Sequence, residues 1–239
     1  MNIKIKISIV SLLIIVGCGQ TIDKDSLRET QEGTVIGMAG ENNTFVWKGI
    51  PFAKPPIGEL RWKAPQDTAS RNETLETVEF KSACFQGSSR LQGDSEDKWS
   101  GSEDCLYLNI WTPQLTESLI EDNQEKLPVM MWIHGGGNTT GSAHVYDPSL
   151  LVSKYNVVVV TIHYRMGPLG WFRHPALETS SSSQSDISGN YGTLDTIKAL
   201  EWINKNIKSF GGDPENVTVF GESAGGHNAA AIFASPLAE

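Results

Sequence analysis

Ser223 stands in the middle of Gly221-Glu222-Ser223-Ala224-Gly225-Gly226. A serine hydroxyl is a weak nucleophile. It serves acyl transfer only where a base takes its proton and donors hold the oxyanion that forms. A β-branched run, Val217-Thr218-Val219-Phe220, precedes this stretch; an Ala-rich run from His227 to Ala234 follows and is stopped by Pro236. Strand, sharp turn and helix in that order make the Gly-x-Ser-x-Gly a nucleophile elbow. The turn leaves no room for β-carbons beside the serine, hence the glycines. It sets the Ser223 hydroxyl over a helix N-terminus, where N–H groups and the helix dipole favour developing negative charge. Taken alone, the pentapeptide also fits an inert Gly-Ser loop.

A second motif decides between these readings. His134-Gly135-Gly136-Gly137 directly follows the apolar run Val129-Met130-Met131-Trp132-Ile133. Consecutive glycines let backbone N–H groups point into one cavity with no side chain in the way. An HGGG loop upstream of a Gly-x-Ser-x-Gly elbow, each at the end of a strand, reads as an oxyanion loop and its nucleophile.

The elements that must position these motifs follow from periodicity. Val129 to Ile133 and Val157 to Ile162 are continuous apolar runs, as in strands buried on both faces of a parallel sheet. Leu194, Ile197, Leu200, Ile203, Ile207 and Phe210 mark one face of a helix, ended by Gly211-Gly212 and turned by Asp213-Pro214. Earlier, Thr34 to Met38 and Thr44 to Ile50 are expected as a small antiparallel hairpin around Glu41-Asn42-Asn43, and Tyr107 to Trp111 as a further strand. The segment Gly49 to Gly58 is turn-rich, Thr116 to Lys126 is a polar connection, and Thr179 to Asp186 is a serine-rich solvent loop. The fold class is α/β: a hairpin, then a mostly parallel sheet flanked by helices.

With 239 residues the chain can bury one large core. The net charge is −9; subtracting Lys4 and Lys6 of the leader gives −11 for the remainder. No basic patch appears, which argues against a nucleic-acid partner. Residues 1–17 read as a signal peptide: Lys4 and Lys6 form the positive end, and the ten residues from Ile7 to Val16 are too few to span a bilayer. Ile15-Val16-Gly17-Cys18 is similar to a bacterial lipobox, which makes Cys18 the expected lipid attachment point and the protein an envelope lipoprotein; a soluble secreted or periplasmic protein is the alternative. Residues 18–32 are polar and read as a tether, with the folded domain over 33–239. Cys84 and Cys105 enclose twenty residues rich in Gly, Ser and Asp. After export such a pair is expected to be oxidised; two buried thiols are the alternative.

Together these stretches resemble the type-B carboxylesterase/lipase family, which includes the cholinesterases, on the α/β-hydrolase fold. The resemblance runs from about Thr34 to Leu237. It rests on Lys48 to Ala53 with Pro55-Pro56, Ser102 to Ile110, His134 to Gly137, Tyr164-Arg165, Phe210 to Pro214 and Gly221 to Gly226. It implies a serine carboxylic-ester hydrolase acting on a small-molecule ester, with Ser223 as nucleophile. It further implies an oxyanion hole of the Gly136, Gly137 and Ala224 N–H groups, a Cys84–Cys105 disulfide, and no metal or organic cofactor. Glu103, Arg165 and Glu222 match positions that pair inside the fold. Asn138 stands where the family has an aromatic residue, at the expected mouth of the acyl pocket. Trp99 lies in the Cys84–Cys105 loop, where cholinesterases hold a quaternary ammonium by cation–π contact. Its spacing from the second cysteine and the loop length differ, so packing within the loop is the expectation.

The family triad runs Ser, acid, His, with the last two far downstream. Only sixteen residues follow Ser223, with no Asp, no His beyond His227, and Glu239 the only acid. His227 lies four residues past Ser223 on the elbow helix, pointing away from its hydroxyl. His134 is expected as a satisfied structural imidazole, and His144, His163 and His174 have no motif context. These 239 residues therefore read as the N-terminal part of an esterase. Without base and acid, kcat falls by roughly 10⁴ to 10⁶, and the elbow strand becomes an apolar edge. The chain alone is expected to be inactive and unstable. A non-catalytic binding or adhesion-like relative is the rival function.

Overall fold

The computed structural model describes residues 21–87, 98–116, 120, 126–179 and 182–238. The leader and Cys18 lie outside the described residues, as do parts of the Cys84–Cys105 loop and of the 116–126 connection.

The first strands are β1 (Arg28–Thr30), β2 (Gly33–Ile36), β3 (Met38–Ala39), β4 (Thr44–Pro51) and β5 (Leu75–Glu76). The expected single hairpin is split at Gly37. β2 pairs antiparallel with β1 and parallel with β5 in one small sheet, whereas β3 pairs antiparallel with β4 in the main sheet. The Gly37 N–H donates to Ser26 Oγ at 2.8 Å and its carbonyl accepts from the Asp23 N–H at 3.1 Å. Those bonds pull the chain from one sheet to the other. A side chain at Gly37 would overlap the Val46 carbonyl.

The same contacts correct the expected tether over 18–32. Arg28 is buried, donates from Nη1 to the Asp25 and Leu27 carbonyls, and lies 5.2 Å over the Trp47 ring. With β1 paired to β2, the folded region begins before residue 33.

Next come β6 (Gln86–Gly87), β7 (Trp99–Ser100), β8 (Tyr107–Pro113), β9 (Leu127–Ile133), α1 (Ser149–Tyr155), β10 (Val158–Ile162), α2 (Gly167–Gly170), α3 (Tyr191–Asn206), β11 (Gly212–Gly221) and α4 (Ala224–Phe233). β6 and β7 pair as a ribbon inside the loop that the Cys84–Cys105 disulfide closes. The main sheet has the order β11-β9-β10-β8-β4-β3. β11, β9 and β10 are parallel, and the remaining neighbours are antiparallel. The sheet is thus more mixed than the sequence predicts, because the β3–β4 hairpin joins it through β8.

Burial explains why the parallel trio is the anchor. Val129, Met131, Ile133, Val158, Val160 and Ile162 are all buried, each contributing roughly 1.5–3 kcal/mol. α3 covers one face with Ile197, Trp202 and Ile203; a 3₁₀ turn, Ile207–Phe210, then sets Phe210 edge-on to Trp47 at 4.9 Å. Gly211, at φ 82°, ends it. On the other face α1 contributes Val152 to a smaller cluster with Met38, Val46, Trp111 and Val159. Among the described residues β11 is an edge strand, and β9 and β11 end side by side at Ile133 and Gly221.

Candidate active site

Ser223 sits between β11 and α4 at φ 55°, ψ −119°. A non-glycine residue rarely holds this conformation, which costs about 1–3 kcal/mol and persists only where its surroundings over-determine it. They do so here through two glycines. A methyl at Gly221 would lie 2.7 Å from the Ile133 carbonyl oxygen and 2.5 Å from the Gly225 carbonyl carbon, and one at Gly225 would overlap that same Ile133 oxygen. The elbow is therefore pressed onto the end of β9. Ser223 is exposed, and among the described residues its hydroxyl has no hydrogen-bond partner.

The glycine loop leaves β9 at this point. A methyl on Gly135 would stand 3.2 Å from Ser223 Cβ, so the loop runs against Ser223. Its peptide planes are set by their carbonyls. The Gly135 carbonyl lies 2.9 Å from His134 Nδ1; since a carbonyl only accepts, that nitrogen carries the proton. The Gly136 carbonyl accepts from the N–H groups of Thr139 at 3.1 Å and Thr140 at 3.0 Å. The Ser223 carbonyl accepts from the N–H groups of Gly226 at 3.0 Å and His227 at 3.2 Å. In a trans peptide the N–H points opposite to the C=O. Each engaged carbonyl thus turns the next N–H the other way: those of Gly136, Gly137 and Ala224. Among the described residues none of the three donates to another group. Ala224 also opens α4, where the first N–H groups lack intrahelical partners and carry the positive end of the dipole.

The profile of the carboxylesterase family matches residues 24–239. The chain belongs to the carboxylesterase family. It is 46% identical over 222 residues to the fumonisin B1 esterase of Sphingopyxis macrogoltabida, an alignment covering 92% of this chain and 39% of that protein. It is 44% identical over 212 residues to the para-nitrobenzyl esterase of Bacillus subtilis, covering 88% and 40%. Among solved structures, a PNB esterase superposes with a TM-score of 0.76 at 41% identity, and the carboxylesterase EST55 of Geobacillus stearothermophilus with 0.75 at 38%. Each covers 90% of this chain and 42% of the solved chain. The fold is that of the α/β-hydrolases, and the chain spans about 40% of the length of the curated relatives it matches.

The five histidines of this carboxylesterase chain are all placed, and none is hydrogen-bonded to Ser223. The His227 side chain is exposed, one helical turn along α4. His174 caps a 3₁₀ turn, accepting from the Ala176 N–H at 3.1 Å. His144 Nε2 donates to the Lys81 carbonyl at 2.7 Å, which likewise fixes its tautomer. His163 Nε2 lies 3.2 Å from Ser142 Oγ. His134 is buried and stacked on Tyr164 at 4.6 Å. Burial brings its pKa down to about 4, against the opposing pull of the Gly135 carbonyl. It is structural as expected but only half satisfied, because its buried Nε2 has no partner among the described residues.

The three charged positions separate. Arg165 forms a buried pair with Asp195 on α3, Nε to Oδ2 at 2.8 Å and Nη2 to Oδ1 at 2.7 Å. Glu103 pairs with Arg61 at 2.5 Å nearer the surface. Glu222 departs from its expectation: it is exposed, lies against Gly135, and has no ion-pair partner among the described residues.

Trp99 stacks on Phe85 at 5.6 Å with the rings 8° from parallel, which is packing within the loop, yet it remains 63% exposed. The pair borders an open groove of about 630 Å³ that runs past Trp62 and Met166 to Thr139 and Thr140 of the glycine loop. Asn138 does not project into that groove. Its amide is turned onto Asn228 of α4. Sequence reasoning missed Asp195 and Asn228 as parts of this architecture. The available signals were an acid on the core-facing side of α3 and an amide inside an Ala-rich helix.

Proposed function

We propose that this chain carries the nucleophile and oxyanion hole of a serine carboxylesterase acting on small-molecule esters. The observation that carries the reading is the set of three N–H donors, on Gly136, Gly137 and Ala224, that bond to no other group among the described residues and are turned by engaged carbonyls beside a strained, exposed Ser223. Ser223 Oγ attacks the ester carbonyl carbon while its proton passes to a base. The carbonyl oxygen becomes an oxyanion held by the three N–H groups. Collapse expels the alcohol, which takes the proton back, and leaves an acyl-serine. Water then repeats the sequence and releases the acid.

The base and its acid come from outside these 239 residues. The histidine positions support this, since none of the five is bonded to Ser223. The printed names of the relatives, esterases in each case, support the reaction class. The same histidine positions favour the rival, a non-catalytic relative that keeps the elbow as inherited architecture. Export with lipid attachment at Cys18 belongs to the proposal as well, supported by the leader and by the disulfide of an oxidising compartment.

The test is hydrolysis of p-nitrophenyl acetate by the product of the full reading frame, beside its Ser223→Ala variant. Esterase activity that the substitution reduces by about 10⁴-fold or more supports the reading. A full-length product with no activity supports the rival.

A further inference from the structure

We propose that Asn138 and Asn228 form an amide clasp that positions the glycine loop on the elbow helix and thereby sets the oxyanion hole. The inference rests on the reading of Gly136 and Gly137 as oxyanion donors.

The loop needs such a device. Three consecutive glycines have the largest conformational freedom of any tripeptide, whereas an oxyanion hole works because its donors are oriented before the charge appears. Gly136 and Gly137 hold φ of 102° and 64°, and Asn138 continues the left-handed run at 59°. The orientation is fixed from the two ends. At the first, the buried Tyr164 hydroxyl donates to the His134 carbonyl at 2.7 Å. At the second, the Asn138 carbonyl accepts from the Gly167 N–H at 2.6 Å, and its side chain meets Asn228.

That meeting is reciprocal. Asn228 Nδ2 donates to Asn138 Oδ1 at 2.9 Å, and Asn138 Nδ2 donates to Asn228 Oδ1 at 3.4 Å. Asn138 Oδ1 also lies 3.4 Å from the Tyr164 hydroxyl, so one buried phenol touches both residues that flank the glycines. Asn228 is 4% exposed, among Ala224, Gly225, Ala229 and Ile232 on the buried face of α4. Packing alone gives an amide no place there. A buried amide requires a partner, and Asn138 is that partner. The clasp therefore ties the residue after the oxyanion donors to the helix whose first N–H completes the hole. A substrate-contacting role for Asn138 is less consistent with these bonds, because its amide is spent on α4.

Two variants test this: Asn138→Ala, on the half-buried loop, and Asn228→Leu, which keeps bulk and removes both bonds. Amide hydrogen exchange of residues 135–140 in the product of the full reading frame is expected to rise about tenfold in each variant, and by no more in the double variant. Unchanged exchange, or effects that add in the double variant, overturns the clasp. The second readout is ester turnover by the full reading-frame product. There each variant is expected to lower kcat about tenfold at constant KM, and restoring the amide with Asn228→Gln is expected to recover part of it. A rise in KM with kcat unchanged would make Asn138 a substrate contact and overturn the positioning role. If the wild-type product turns over no ester, the nucleophile reading fails while the exchange measurement still decides the clasp.

Discussion

Gly225 lies so close to Ile133 that a methyl group on the glycine would overlap the isoleucine carbonyl. This contact joins the elbow to the strand that feeds the glycine loop, and so couples Ser223 mechanically to the loop N–H groups of Gly136 and Gly137. Gly225→Ala is expected to destabilise the fold by about 1–3 kcal/mol, because the backbone of β9 or of the elbow must shift. Urea unfolding measures it. A midpoint within error of wild type would mean that the elbow is not pressed onto β9.

The Arg165–Asp195 pair fixes the N-terminal part of α3 behind the site. Arg165 is 3% and Asp195 0% exposed, and Arg165 Nη1 also donates to the Lys63 carbonyl at 2.9 Å. Removing the carboxylate leaves a buried guanidinium without its counter-charge. Asp195→Ala is expected to cost about 3–5 kcal/mol, and the double change Arg165→Met/Asp195→Ala is expected to recover part of the loss. A double variant no more stable than the single one would show that packing, not charge, dominates there.

How far the sequence anticipates this architecture depends on the range of each interaction. The elbow is legible because its determinants, Gly221 and Gly225, lie within two residues of Ser223. β9, β10 and α3 are legible because burial imposes their periodicity. Asp195 is not, since an ion pair thirty residues apart in sequence depends on how α3 docks. Gly37 is read as mid-strand because local alternation continues through it, whereas the bonds that divert the chain come from Ser26 and Asp23. The tether expectation over 18–32 fails for a related reason. Composition marks that segment as polar, and only long-range contacts, the β1–β2 pairing and the stacking of Arg28 over Trp47, show that residues 21–32 fold. At Asn138 the departure from the family aromatic is visible in the sequence, but its partner on α4 is not.

Three histidines make stability pH-dependent. Burial lowers His134 to about 4, holds His163 well below 6.5 and lowers His144; His144 adds repulsion on His134, and both add it on His163. Each folded imidazole takes a proton less readily than the unfolded chain does. The contribution of each is therefore fully present above about pH 6.5 and is lost as pH falls through its own lowered pKa, about 4 for His134. For His134 alone this amounts to about 3 kcal/mol across that window. Urea midpoints between pH 7 and pH 4 should fall, and fall less in His134→Asn, which keeps the donor to the Gly135 carbonyl. Equal slopes in both proteins would remove His134 from this account.

Lipid attachment has its own test. Full-length protein from the native host is expected to partition into detergent on phase separation, and Cys18→Ser is expected to move it to the aqueous phase. Wild-type protein found in the aqueous phase would leave Cys18 unmodified and favour a soluble secreted form.

The most direct test of the nucleophile assignment is capture of Ser223 by a fluorophosphonate in the product of the full reading frame, located by peptide mass spectrometry. One adduct per chain is expected, on Ser223, formed about 10²- to 10³-fold more slowly when Gly136→Ala disturbs the glycine loop. An adduct on another serine, or none while the protein remains folded, would contradict it.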